Sequence, residues 1–428
     1  MTQYRIVRLA GLHTPVAEIE LLNHFPDFLN WSYDEQMASL FQLKYLYSDS
    51  FSRSIRNLGQ EAFDIVWDLE LVQKQWATEN GIDTSSDGWQ TAVLIDQLRT
   101  MQPEVVYFQG TELAIPGRPN RQLPSINWPV LIKQEIPSVK LVMMYSGFPS
   151  RGDRITGVDI LLSGPPHVVD HYKRMGYKPI LCYHAFDSEV LESLAAEDQK
   201  SAALGMFTFV GSARAPESRY WILKQLMRNT DINVWIDEPP AMGVTEAIKS
   251  SWVSTLSVVR NILSENIKKY RKLNTSNSLL QLDSLARVSN RWLYALPARP
   301  LKSMYPSKCH GAVRGLEYYR VLQQSKITFN KHTDHVYDSV GNMRMFEATG
   351  VGTCLLTDSG SNIRDLFEPD AEVVTYSSSE EAIEKAKFLL ENEETRMSIA
   401  KNGNTRTLKD HTIENRCNLV DEIIQLSL

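Results

Sequence analysis

Arg344 and Glu347 stand three residues apart in the stretch GNMRMFEATGVGTCLLTD, which runs from Gly341 to Asp358. That spacing puts two side chains on one face of a helix. The stretch reads as a short helix, a break at Gly350 and Gly352, and then an apolar strand. A carboxylate there can accept two bonds from a ribose diol, and an arginine can neutralise a diphosphate. Asn342 precedes the helix in a position suited to capping. Thr349 and Gly350 are small enough to let a ligand or a strand come close. A surface Arg–Glu pair that only holds the helix together is the plainer alternative.

Two further stretches carry similar chemistry. In FVGSARAPESR (209–219), Gly211 allows close backbone approach and Ser212 offers a hydroxyl. A helix begins near Glu217, and free N–H groups at a helix start bind phosphate. Arg214 and Arg219 can add forked, charge-assisted bonds, although an ordinary turn with solvated arginines has the same composition. In ITFNKH (327–332), an apolar strand ends in Asn330, Lys331 and His332. In the first half of the chain, His13 follows the first strand, where a histidine can act as a general base. A loop histidine without a role is the alternative. His184 closes the last strand of that half and is expected to line an interdomain cleft.

Residues at strand ends need strands. Continuous apolar runs occur at 4–10, 63–69, 105–109, 140–146, 159–164 and 179–184, with amphipathic or polar segments between them. The pattern restarts at 206–212, 232–237, 327–330, 353–358 and 372–376. Such runs mark strands covered on both faces, and their alternation with helices marks parallel α/β sheets. Domains usually hold ~100–200 residues, so 428 residues fit two. The sequence therefore predicts an α/β protein of two doubly wound domains facing one another, joined through the polar segment 185–205. Residues 240–310 interrupt the second domain with a helical insertion. Its amphipathic helix ends in the basic run KKYRK (268–272), which suits a solvated helix tip or an anionic membrane surface.

The formal net charge of −6 argues against a nucleic-acid binder. The four cysteines have no zinc or redox spacing, and Cys182 and Cys354 sit in apolar runs as core thiols. A reducing cytoplasm fits this, with peripheral contact to the inner face of a membrane as an extension. The first residues, MTQYRIVRLAGLHTP, lack the apolar centre of a signal peptide. No GxGxxG follows the first strand, which disfavours an NAD-dependent oxidoreductase.

Taken together, FVGS…R (209–219), GLEYYRVLQQSKITFN (315–330), GNMRMFEATGVGTCLLTD (341–358) and EEAIEKAKFLLENEETRMSIAKNG (380–403) resemble the CgeB-type glycosyltransferases. These are bacterial enzymes of the GT-B superfold, related to glycosyltransferase family 4. The segments 32–63 and 71–81 resemble the amino-terminal half of such proteins. The resemblance implies a GT-B fold with two Rossmann-like domains across a cleft. Residues 1–195 would hold the acceptor, 196–411 the nucleotide sugar, and the helix at 412–428 would dock back on the first domain. It implies that Glu347 matches the second glutamate of a Glu-x7-Glu motif, which binds the donor ribose. Ser339 stands where the first glutamate would, so stereochemistry does not carry over.

The expected donor set is Gly211, Ser212, Arg219, Asn330, His332, Asn342, Arg344, Glu347, Thr349 and Gly350, with His13 and Glu347 as catalytic residues. No metal and no cofactor beyond the nucleotide-sugar substrate is expected, because no loop carries Asp-x-Asp. The expected partners are a nucleotide-sugar donor and a saccharide or lipid-linked acceptor, in surface polysaccharide or glycoconjugate assembly. A nucleotide-sugar epimerase of the same superfold and a non-catalytic nucleotide-sugar binder are the alternatives.

Overall fold

The computed structural model describes residues 2–12, 17–45, 48–114, 126–149, 155–196, 206–213, 218–236, 300–334 and 338–428. His13, Arg214 and the helix with the KKYRK run lie outside the described residues.

Among the described residues, two six-stranded sheets organise the chain. The first contains β1 (Arg5–Ala10), β2 (Glu61–Val66), β3 (Val105–Phe108), β4 (Leu141–Tyr145), β5 (Ile160–Ser163) and β6 (Ile180–Leu181). The second contains β7 (Phe207–Val210), β8 (Asn233–Trp235), β9 (Cys309–His310), β10 (Ile327–Asn330), β11 (Cys354–Asp358) and β12 (Val374–Tyr376). All ten strand pairs are parallel. Strands β3, β5, β7 and β10 are buried along their whole length, as helices on both faces require.

The strand orders are β2-β1-β3-β4-β5-β6 and β12-β11-β10-β7-β8-β9. Each order reverses direction once, between β1 and β3 in the first sheet and between β7 and β10 in the second. Loops leaving the carboxyl ends of strands at such a reversal diverge and open a crevice, where ligands of open α/β sheets bind. The reversal points therefore name the ligand loops before any side chain is considered.

Arg8 is the exception in the otherwise apolar strand β1. It is 1% exposed and lies in register with Asp64 of β2, to which it is ion-paired. Its Nη1 donates to Gln109 Oε1 at 2.9 Å, just beyond β3. A buried charge needs such partners, and here they tie the switch-point strands together.

The chain passes between the halves twice. The outgoing passage runs through Phe186, and the returning one through His411 and Thr412. The two are bonded to each other: Phe186 N donates to His411 O, and Ile413 N donates to Phe186 O, both at 2.9 Å. The segment expected to be a polar link contains the helix Glu189–Ala196, whose Val190 and Leu194 are buried in an apolar cluster with Phe346 and Leu355. The final helix, Ile413–Ser427, starts from a capping box at Thr412 and Asn415. Its Ile413, Cys417, Val420 and Ile424 are buried with Tyr4, Ile6 and Phe51 against the first sheet. Tyr4 donates its hydroxyl to Asp421 at 2.7 Å.

A third link joins the halves away from these passages. Leu316 N donates to Leu43 O at 3.1 Å, and Arg314 pairs with Glu20 at 3.0 Å. Gly315 has φ +55°, and an added Cβ would come within 2.2 Å of Leu43 O, so only glycine fits there. Lys44 on the same loop pairs with Glu189. Among the described residues no helix is long and apolar enough to cross a membrane.

Candidate active site

A cavity of about 850 Å³ lies between the two sheets. That is the size of a small-molecule site. On the first-sheet wall it is lined by Gln109–Glu112, Tyr145, Phe148 and His184. On the second-sheet wall it is lined by Ser212, Arg219, His332, Ser339–Arg344 and Glu347. Most of these residues follow the switch-point strands β3, β7 and β10, or begin the helix Met343–Gly350.

The second wall is one hydrogen-bonded assembly. Asn330 ends β10 and is fully buried behind the cavity surface. Its side-chain amide pairs reciprocally with that of Asn342, at 3.0 and 2.9 Å. Asn330 Oδ1 also accepts from Arg344 Nη1 at 3.2 Å. His332 Nε2 accepts from the backbone N–H of Gly341 (3.0 Å) and of Asn342 (3.2 Å). Those bonds place the ring proton on Nδ1, which faces Asp358 Oδ1 at 2.7 Å. Burial alone would raise the Asp358 carboxyl, but His332 and Lys331 hold it well below the usual carboxylate range. His332 thus fixes the turn that leads into the helix, and the Asn342 side chain at the N-cap position makes no capping bond.

Arg344 is held from three sides. Its Cζ lies 4.9 Å from the centre of the Phe209 ring. Gly211 has φ +147°, and an added Cβ would fall 2.2 Å from Arg344 Nη2, so glycine lets the guanidinium lie on the backbone. Asn330 is the third contact. Arg344 Nε is buried without a partner. Glu347 is 7% exposed and accepts from Tyr318 (2.5 Å) and Tyr319 (3.5 Å). Burial raises the Glu347 carboxyl, partly offset by the Tyr318 hydroxyl and Arg344. Burial and Glu347 push the Tyr318 phenol far up. A carboxylate offers about four lone-pair sites, so the two tyrosines leave room for a diol.

The structure separates the expected donor residues into groups. Ser212, His332, Asn342, Arg344 and Glu347 line the cavity together. Gly211 and Asn330 stand behind it and shape Arg344. Arg219 lines the cavity at 5% exposure, but its fork is turned onto protein atoms. Its Nε and Nη2 donate to Lys331 O, and its Nη1 donates to the carbonyl and hydroxyl of Ser212. Arg219 thus ties the β7 and β10 loops together at the edge of the cavity.

Thr349 and Gly350 are corrected, since neither lines the cavity. The Thr349 hydroxyl bonds Met345 O and Thr407 Oγ1, both at 2.6 Å, on the opposite face of the helix. Gly350 receives the Phe186 ring, where an added Cβ would approach within 2.4 Å. His184 does line the cavity, with Nε2 3.2 Å from the Tyr145 hydroxyl. Burial, aided by Arg416, lowers its pKa to about 4. Asp358, Tyr318 and Tyr319 were not singled out from sequence. Asp358 ends an apolar strand, so the strand-end rule points to it; nothing local distinguishes the tyrosines from ordinary helix packing.

Residues 280–424 match a family described as glycosyl transferase-like. No curated protein matches by sequence. Among solved structures, an alpha-glucosyltransferase in complex with UDP-glucose and DNA aligns with TM-score 0.53 and 10% identity, over 99% of each chain. Anabaena HepE in complex with UDP-glucose aligns with TM-score 0.51 and 9% identity, over 99% of this chain and 100% of that one. A Rickettsia africae glycosyltransferase aligns with TM-score 0.50 and 9% identity, over 100% of this chain and 99% of that one. The fold is GT-B: two parallel α/β sheets with a cleft between them.

Proposed function

We propose that the chain is a glycosyltransferase that moves a sugar from a nucleotide-activated donor to an acceptor hydroxyl. The observation that carries this is the convergence of Arg344 and Glu347 on one cavity wall, at the switch point of the second sheet. Glu347 takes the ribose diol through its remaining lone pairs. Arg344 faces the diphosphate and stabilises the charge that develops as it leaves. The family match over 280–424 and the UDP-glucose complexes of two fold relatives support this reading. A fixed guanidinium at the leaving group favours metal-independent transfer, and the first-sheet wall receives a saccharide or lipid-linked acceptor.

The test is a thermal-shift screen of nucleotide sugars, with and without excess chelator, followed by calorimetry on Glu347→Ala. A ligand at a hundred times its Kd adds ~2.7 kcal/mol of stability. Glu347→Ala should weaken donor binding tenfold or more, as loss of charged hydrogen bonds does. Unchanged affinity in that variant, or binding that depends on added magnesium or manganese, counts against the assignment.

A further inference from the structure

A second chamber adjoins the cleft at the reversal point of the first sheet. It holds about 210 Å³ and is lined by Leu12, Leu40, Phe41, Val66 and Met343, with Arg8 of β1 among them. Leu12, Tyr45, Gln109 and Met343 border both this chamber and the large cavity. Met343 begins the helix Met343–Gly350 next to Arg344, so the chamber lies beside the place assigned to the leaving diphosphate.

Protein interiors seldom leave a void larger than a water molecule. Leu40 and Val66 are 2% and 3% exposed, yet they line this one. Side chains that border a void lose dispersion contacts, which an apolar occupant restores. Water would be held poorly, because a buried water needs about two to four polar partners and the polar groups here are engaged. Ser48 donates its hydroxyl to Phe41 O at 2.7 Å. Arg8 donates through all three of its nitrogens: to Asp64, to Gln109 Oε1 at 2.9 Å and to Ser48 O. Asp64 neutralises its charge, so the chamber does not call for an anion. Those bonds lie in the guanidinium plane, and aromatic rings stack on guanidinium faces. Phe51, whose ring centre is 5.9 Å from Arg8 Cζ, meets the guanidinium from outside the chamber. An apolar cavity of about 150 Å³ holds benzene, so this larger chamber has room for one substituted ring.

We infer that the chamber is an acceptor subsite for a compact aryl group: the acceptor is a saccharide whose aryl aglycone enters the chamber while a sugar hydroxyl stays in the cleft. This rests on the transferase reading above. The ring fills the chamber, and the sugar occupies the cleft beyond its neck. Gln109 stands at that neck with its side-chain oxygen held by Arg8, which leaves its amide nitrogen to donate to a sugar oxygen. In the transfer, the acceptor oxygen bonds to the anomeric carbon, and the bond from that carbon to the phosphate oxygen breaks. Its electron pair leaves with the diphosphate, and the hydroxyl proton passes to solvent.

The experiment uses the full chain, a nucleotide sugar chosen by thermal shift, and matched pairs of phenyl and methyl glycosides as acceptors. Nucleoside diphosphate release gives kcat and KM, and calorimetry with phenol alone reads the chamber directly. Phenyl glycosides should have kcat/KM about tenfold or more above their methyl partners, the scale of burying one ring. Phenol should bind, and should inhibit turnover of phenyl glycosides far more than of methyl ones. Leu40→Trp and Val66→Phe fill the chamber from a helix and from a strand. Each should abolish phenol binding and bring the two acceptor kinds within about twofold of each other, with donor affinity kept and melting temperature as the check on folding. Phenyl and methyl partners within about threefold in wild type, or phenol that inhibits both kinds alike, overturn the inference and leave the transferase reading standing. So does a phenyl preference that survives in a folded filled variant. Phenol binding with no nucleoside diphosphate release from any donor and acceptor pair defeats the transferase reading and the acceptor role with it.

Discussion

The two walls of the cleft are built differently. On the second-sheet wall, Asn330, His332, Asn342, Arg344 and Asp358 form a continuous network, and Glu347 is held by two tyrosines. Groups locked in this way recognise one shape without reorganising. The first-sheet wall combines the Tyr145–His184 contact with Gln109–Glu112, Gly147 and a Phe148 that is 56% exposed. Fixed polar groups suit the constant part of a substrate pair, the nucleotide. Under the proposed transferase function, the wall with the exposed ring suits the acceptor.

Three substitutions test this division. The largest effect is expected at Asp358, which accepts from His332 and Lys331. Asp358→Asn should cost about 3 kcal/mol of stability, the scale for breaking a buried charged network, and should loosen donor binding by freeing His332. The sign with pH follows from its depressed carboxyl. The stabilisation is fully present above the unfolded value of about 3.9 and is lost as pH falls below it. The acid limb of a melting-temperature profile should therefore be flatter in the variant. An identical acid limb would mean that the second wall is not held by this charge.

Next is Arg344→Ala. Donor affinity should drop by about 1.5–3 kcal/mol in calorimetry, with the acceptor KM nearly unchanged. Equal losses for both substrates would erase the division between walls. The smallest effect is expected from Phe148→Ala. It should raise the acceptor KM about fivefold, the scale of one aromatic contact. Melting temperature and donor affinity should stay at wild-type values, since the ring is exposed.

Much of the fold was legible in the sequence for a physical reason. Strands covered on both faces need apolar side chains at nearly every position, so the eleven apolar runs overlap eleven strands. The missed strand, Cys309–His310, has two residues and is defined by backbone pairing to β8, which leaves no run to read. In the site, residues at strand ends and at the helix start were legible by position alone. What sequence could not show are contacts whose partner is remote. Arg219 is claimed by the carbonyl of Lys331, 112 residues away. Thr349 is claimed by Thr407, 58 residues away, and Gly350 by the Phe186 ring. Local sequence encodes neither a distant carbonyl nor the far side of a helix.

The link between Leu43 and Leu316 bears on how the halves move. Two bodies joined at one flexible point can rotate in three independent ways. Joined at two, they keep one rotation, about the line through both points. Here one point is the paired passage at Phe186 and Thr412, and the other is the Gly315 contact with Leu43. His184 beside the first and Arg314 beside the second both border the cavity, so that line runs along its rim. Any opening of the cleft that kept both contacts would turn about that line and return the first-sheet wall to the second-sheet wall along one arc.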